Sequence, residues 1–141
     1  MSRKNQTLDD ATLSLKAAGL IAAPAAVATI ADLGSGYVEG NVIIDITALE
    51  MAADEFYDIV VQLSPDAAFG TDTNIVEKCA LSVGAAEVKR TDANVDDAIG
   101  RYILPFNNLY LTTYYRYLRL YTVVTGTITD GINYTARLSK R

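Results

Sequence analysis

From Val27 onward, apolar side chains keep recurring at every second position, and clusters of Gly, Pro, Asn or Ser interrupt them at short intervals. In an extended chain alternate residues face opposite sides, so this period builds strands with one apolar face. Tyr37 to Ile46 puts Val38, Val42, Ile44 and Ile46 on one side, and Phe56 to Leu63 does the same with Tyr57, Ile59, Val61 and Leu63. Ile75 to Val83 groups Ile75, Cys79, Leu81 and Val83, and Ile128 to Leu138 turns Ile132, Tyr134, Ala136 and Leu138 inward. Val27 to Leu33 reads as a further strand ended by Gly34-Ser35-Gly36, and Gly100 to Leu104 as a short one stopped by Pro105, with Asn107-Asn108 in a loop. No helical period survives past residue 26, although Ala48 to Glu55 has room for one helical turn. Recurrent short strands separated by turn signals predict an all-β sandwich or barrel of about eight strands.

The chain of 141 residues suits one domain, and at 50% hydrophobic it has the material for one core. Residues 1–12 are polar and read as a flexible arm, and residues 13–26 as a short helix or an extended strap, since Pro24 limits any helix. The expected division is therefore an N-terminal arm and strap over 1–26 and a single sandwich domain over 27–141. The Ala-rich run over 17–31, behind Arg3 and Lys4, contains Ala22-Ala23-Pro24-Ala25-Ala26, which resembles a leader cleavage site. Asp9, Asp10 and Lys16 argue against a leader, and the run is too short and too weakly apolar for a transmembrane helix.

Net charge narrows the partners. At a formal -5 and a pI near 4.6 the chain lacks the basic stripe of a general nucleic-acid binder. The small basic groups at Arg3-Lys4, Lys89-Arg90 and Lys140-Arg141 suit contact with an acidic partner, though solvated charge is the simpler reading. The chain has no histidine, which removes the commonest general base and the commonest metal ligand. A single cysteine, Cys79, forbids an intrachain disulfide and reads as a small apolar residue in mid-strand. Asp92, Asn94, Asp96 and Asp97 imitate the start of a calcium loop, but Asp97 stands where the sharp-turn glycine belongs and Ile103 where the closing glutamate belongs. Gly34, Gly36 and Gly40 miss the phosphate-binding glycine spacing by one position and read as turn and twist residues. Asp54 and Glu55 remain as a carboxylate pair for glycoside hydrolysis, set in no recognisable motif. The expectation is no catalytic residue, no metal and no cofactor.

What is left is the stretch Tyr114 to Val124, YYRYLRLYTVV. As a strand it turns Tyr114, Arg116, Leu118, Leu120, Thr122 and Val124 to one side, which reads as core. The other side carries Tyr115, Tyr117, Arg119, Tyr121 and Val123, a large amphipathic surface. Three uses fit it: the core of a wide sandwich, an oligomer or partner interface, or a sugar-stacking platform. Arg119 favours the interface, because arginine is rarely buried without a partner. The candidate contact residues are Tyr115, Tyr117, Arg119 and Tyr121, with Arg3 and Lys4 from the arm.

Segment order adds a resemblance. The chain reads A-D-L-G at 31–34, V-I-I-D-I-T-A-L-E at 42–50, E-F-Y-D-I-V-V-Q-L-S at 55–64 and L-P-F-N-N at 104–108, then Y-R-Y-L-R-L-Y at 115–121 and I-N-Y-T-A at 132–136. Over residues 27–138 this resembles the small cement, or decoration, proteins on the heads of some tailed bacteriophages, of the kind carried by a Bordetella phage. The resemblance implies a jelly roll, made in the host cytoplasm and carried on the capsid surface of the virion. It implies self-assembly as a dimer, with a trimer as the other option, and binding to the major capsid protein. It implies no enzyme activity, no cofactor, no nucleic acid and no membrane. The alternative from another class is a carbohydrate-binding jelly-roll module on a virion or cell surface.

Overall fold

A computed structural model of the chain describes residues 8–27, 29–51, 54–70, 74–84 and 99–140, with side chains placed from residue 13 onward. The described residues form twelve strand segments. They are β1 Leu8–Lys16, β2 Leu20–Ile21, β3 Ala25–Ala26, β4 Ala31–Asp32, β5 Glu39–Leu49, β6 Phe56–Ser64, β7 Val76–Gly84, β8 Gly100–Asn107, β9 Leu109–Tyr110, β10 Thr113–Tyr114, β11 Tyr117–Thr125 and β12 Ile132–Lys140. The first sheet runs β1-β12-β5-β8, with β2 also on β12, and the second runs β3-β11-β6-β7, with β4 also on β11. β9 and β10 make a separate hairpin. Along the chain, β1, β5, β8 and β12 fall in the first sheet, and β3/β4, β6, β7 and β11 in the second. That alternation between two antiparallel sheets is the jelly-roll arrangement. The expected number of strands was about eight. Twelve segments arise because β3 and β4 are pieces of one interrupted position and because β2, β9 and β10 are two-residue pairings too short to carry a period.

The core lies where the alternation puts it. Val42, Ile44 and Ile46 on β5, Tyr57, Ile59, Val61 and Leu63 on β6, and Ile132, Tyr134, Ala136 and Leu138 on β12 are all 3% exposed or less. Each such aliphatic side chain contributes about 1.5–3 kcal/mol by leaving water. On β7 the register slips by a bulge between the Val61–Cys79 and Gln62–Glu77 pairs. The extra residue, Lys78, inverts the phase below it, so Val76 packs on the core in place of the expected Ile75. β8 does not stop at Pro105 but runs through it to Asn107. It is an edge strand, and an edge tolerates the missing N–H of proline.

The N-terminal segment is corrected most. Residues 8–16, expected as arm and strap, form the edge strand β1, paired with β12 from Leu8–Lys140 to Lys16–Ala136. The following residues cross between sheets: β2 pairs with β12, then β3 and β4 pair with β11. The described residues of the Ala-rich run hold no helix, and Val27 to Leu33 contributes only the two-residue β4, with β3 lying just before it, where one strand was expected. Lys16 anchors the crossing. Its Nζ donates to the carbonyls of Ala17 and Gly19 at 2.9 Å and of Tyr134 at 2.8 Å, and it stands 4.5 Å from the Tyr134 ring centre. Burial lowers the Lys16 pKa.

Two core phenols make the fold sensitive to alkali. Tyr134 shares a 2.7 Å hydrogen bond with the Thr122 hydroxyl, and burial pushes its phenol up to about 12. Burial also pushes Tyr57 up to about 12. Unfolded tyrosine ionises near 10, so between these values the unfolded chain releases protons that the folded chain holds, and stability falls as pH rises. The expected loss from Tyr134 is on the order of 2 kcal/mol by pH 12, measurable as a drop in the urea midpoint between pH 9 and pH 11.5. Tyr134→Phe is expected to flatten that dependence while costing about 1 kcal/mol at neutral pH.

Candidate functional site

From Tyr117 onward the tyrosine strand divides as its alternation implies, and the three residues before it do not. Leu118, Leu120 and Thr122 are fully buried on the inner face of the second sheet. Tyr117, Arg119, Tyr121 and Val123 are half-buried and stand on the outer face, opposite Ser64, Gln62, Val60 and Asp58 of β6. The strip is therefore not the core of a wide sandwich. Arg119 is held inside it: Nε donates to Gln62 Oε1 at 2.8 Å, and the guanidinium lies 4.3 Å from the Phe69 ring centre. Arg116 caps its end, with a bidentate pair to Asp32 at 2.8 and 2.9 Å and a position 5.4 Å from the Tyr117 ring. That pair holds the Asp32 carboxyl well below the usual range, at about 2. The expected faces are reversed before β11: Tyr114 and Arg116, expected on the core side, are exposed, and Tyr115, expected on the tyrosine side, packs against the core with its ring 6.3 Å from Tyr110.

The other candidate residues do not converge. Asp54 is exposed, and its carboxylate accepts from the Thr127 N–H at 3.1 Å and hydroxyl at 3.4 Å. Glu55 is buried at 3% exposure. Neither lines the cleft of about 340 Å³ between β7 and β8, which is bounded by Glu39, Lys78, Cys79, Pro105 and Asn107. Cys79 is half-buried there, Sγ 3.8 Å from the Pro105 carbonyl, and burial raises its thiol pKa, the opposite of an activated nucleophile. Gly34 and Gly36 have φ of 81° and 104°, in keeping with turn roles. Among the described residues no three His, Cys, Asp or Glu side chains are grouped to hold a metal ion, and no helix is long and apolar enough to cross a membrane. Arg3, Lys4, Asp92, Asn94, Asp96 and Asp97 lie outside the described residues.

A second surface, which the pattern reading misses, is built by the β9–β10 hairpin. Its two-residue turn is Leu111-Thr112, with Tyr110 paired to Thr113. Leu111 adopts φ 55°, the left-handed region that such hairpins normally give to glycine. Leu111 is 82% exposed, Tyr110 and Tyr114 on the two hairpin strands are 41% and 52% exposed, and Tyr37 is 51% exposed. Tyr37 and Tyr114 meet edge to face at 6.0 Å. The base of the hairpin is rigidly held. Asn108 is fully buried, accepts from the Val38 N–H at 2.8 Å, and donates to the carbonyls of Gly36 at 2.8 Å and Tyr115 at 3.0 Å. Its own backbone N–H and carbonyl are also bonded, to the Val38 carbonyl and the Tyr115 N–H. Lys78 Nζ donates to the Leu109 carbonyl at 2.6 Å. The sequence signal that could have found this surface is the uncharged run Asn107 to Tyr115, NNLYLTTYY, with no glycine to mark its turn.

Fold and surfaces together define a class: a two-sheet jelly roll whose large amphipathic side chains lie on its outside. No protein-family model and no curated protein matches the chain.

Proposed function

We propose that the protein is a structural component of a tailed-phage virion that binds the outside of the head and clamps neighbouring major capsid subunits. The observation that carries the reading is the strip Tyr117, Arg119, Tyr121, standing half-buried on the outer face of a rigid sheet while the leucines opposite fill the core. Tyrosine and arginine are the residues that dominate protein contacts, because they combine large area with few rotatable bonds or a planar hydrogen-bonding head. The segment resemblance to phage cement proteins names the partner. The mechanism is passive: a bound subunit adds contacts that shell disassembly must break. Many copies on one shell make individually weak contacts sufficient. The protein acts as a dimer, or failing that a trimer, so that one particle touches more than one capsid subunit.

Purified protein is expected to rebind heads stripped of it and to raise their melting temperature. Tyr117→Ala with Arg119→Ala is expected to leave a folded sandwich and weaken rebinding at least tenfold, read by sedimentation with the heads. Failure of the wild-type protein to bind any shell of its own phage overturns the reading. Glycan-array binding without shell binding would replace it with the carbohydrate module.

A further inference from the structure

Two non-glycine residues among those described have a left-handed backbone, Phe69 and Leu111, and they differ in what offsets the strain. Phe69 is buried at 6% exposure beneath the Arg119 guanidinium, and its N–H bonds the Asp66 carbonyl at 3.1 Å. Packing therefore explains Phe69. Leu111 packs on nothing comparable, since 82% of it faces solvent. A glycine there would relieve the backbone and remove an exposed apolar side chain together. An outlier that the fold neither needs nor benefits from, held on an over-determined base, points to function.

We propose that Leu111, flanked by Tyr110 and Tyr114, is a preformed plug that inserts into an apolar socket on the shell subunit, a second contact distinct from the Tyr117–Arg119–Tyr121 strip. The inference rests on the capsid reading for the identity of its partner. Charge selects a protein socket over the alternatives. Asn107 to Tyr115 carries no charged side chain. Among the described residues, Arg116 is engaged with Asp32, Lys78 with the Leu109 carbonyl, and Glu39 with the Tyr37 hydroxyl at 3.0 Å. An uncharged hairpin on a chain of formal net charge -5 gains nothing from an anionic membrane or a phosphate backbone. An exposed leucine at the turn between the strands that carry Tyr110 and Tyr114 suits instead the anchor-in-pocket contact of protein interfaces. The five bonds made by Asn108 prepay the ordering of the hairpin, so that binding loses little conformational freedom.

The test uses the full-length protein and stripped heads. Leu111→Asp and Leu111→Gly are both expected to raise the concentration for half-saturation of the shell at least tenfold, as removal of a buried leucine contact does. Leu111→Gly is expected to do so with an unchanged or higher melting temperature, which separates lost contact from lost fold. Wild-type affinity in both variants, with wild-type protein binding the shell, overturns the plug and leaves the capsid reading intact. No binding of the wild-type protein overturns the capsid reading and the plug's partner with it. Partition of the wild-type protein into neutral phosphatidylcholine vesicles, abolished by Leu111→Asp while shell binding persists, overturns the plug in favour of a lipid contact.

Discussion

Replacing Asn108 by leucine is expected to lower the free energy of unfolding by about 3 kcal/mol, one of the two largest single-site effects we anticipate outside the apolar core. The side chain is fully buried and satisfies the Val38 N–H and the carbonyls of Gly36 and Tyr115 at once. Leucine fills similar space and leaves those groups without their partner, and each buried orphan costs about 1–3 kcal/mol. Asn108→Asp is the sharper control. It keeps the shape and the acceptor, loses both donors, and places a carboxylate in a buried site beside two carbonyl oxygens. It is expected to destabilise at least as much as leucine, whereas a purely space-filling role predicts near-neutrality. Urea denaturation at neutral pH with an unchanged slope measures both. Because Asn108 forms the base of the β9–β10 hairpin, the same variants are expected to blunt shell binding even at temperatures where they remain folded.

Gly131→Ala is the second, with an expected loss of about 2–4 kcal/mol. Gly131 has φ 85°, and a Cβ there would collide with the carbonyl oxygen of Ile21 on β2. Its N–H also donates at 2.7 Å to Glu50 Oε2, which takes the Asp130 N–H at 2.7 Å and the Thr129 N–H at 3.0 Å as well. These bonds, the Gly131 bond foremost, hold the Glu50 carboxyl below its usual range. A displaced Gly131 therefore disturbs both the seat of β2 on β12 and the loop entering β12. Gly34→Ala isolates the backbone part of the cost. Gly34 has a similar φ, 81°, with nothing near the added methyl, and is expected to lose only about 1 kcal/mol. The difference between the two midpoints measures the close approach of the Ile21 carbonyl. Equal losses would mean that the strap does not bear on Gly131.

The parts of the fold that were legible share a physical property. β5, β6 and β12 are long strands with one face on the core, so each carries its own period-two signature whatever its neighbours. The inward set on β6, Tyr57, Ile59, Val61 and Leu63, needs no knowledge of partners to be read. The illegible parts depend on partners. Val76 replaces Ile75 because a bulge opposite Val61 and Gln62 resets the phase, and a bulge is a property of the pair. Pro105 is permitted because β8 is an edge strand among the described residues, which only the sheet order reveals. β1 begins among polar residues, LDDATLSLK, whose pairing with β12 outweighs a weak local preference.

The candidate site shows the same division. Alternation alone put Leu118 and Leu120 on an inward face and Tyr117, Arg119 and Tyr121 on the other, because those residues share one unbroken strand, and only the sheet packing turned that second face outward. Alternation misassigned Tyr114, Tyr115 and Arg116, because strand pairing is interrupted between β10 and β11 and one period does not run through the break. It also passed over Tyr110, Leu111 and Tyr114, because a leucine held at φ 55° leaves no glycine or asparagine to announce a turn. By itself, then, the amino-acid order determined the β class, the inward faces of the long strands and the want of histidine or paired cysteine chemistry, all of which are local or compositional. Tertiary structure alone decided the weaving of the N-terminal strap into both sheets, the engagement of Arg119 with Gln62 and Phe69, and the exposure of Leu111. Those depend on which distant segments meet, and free energies of contact between remote residues are written in no single stretch of chain.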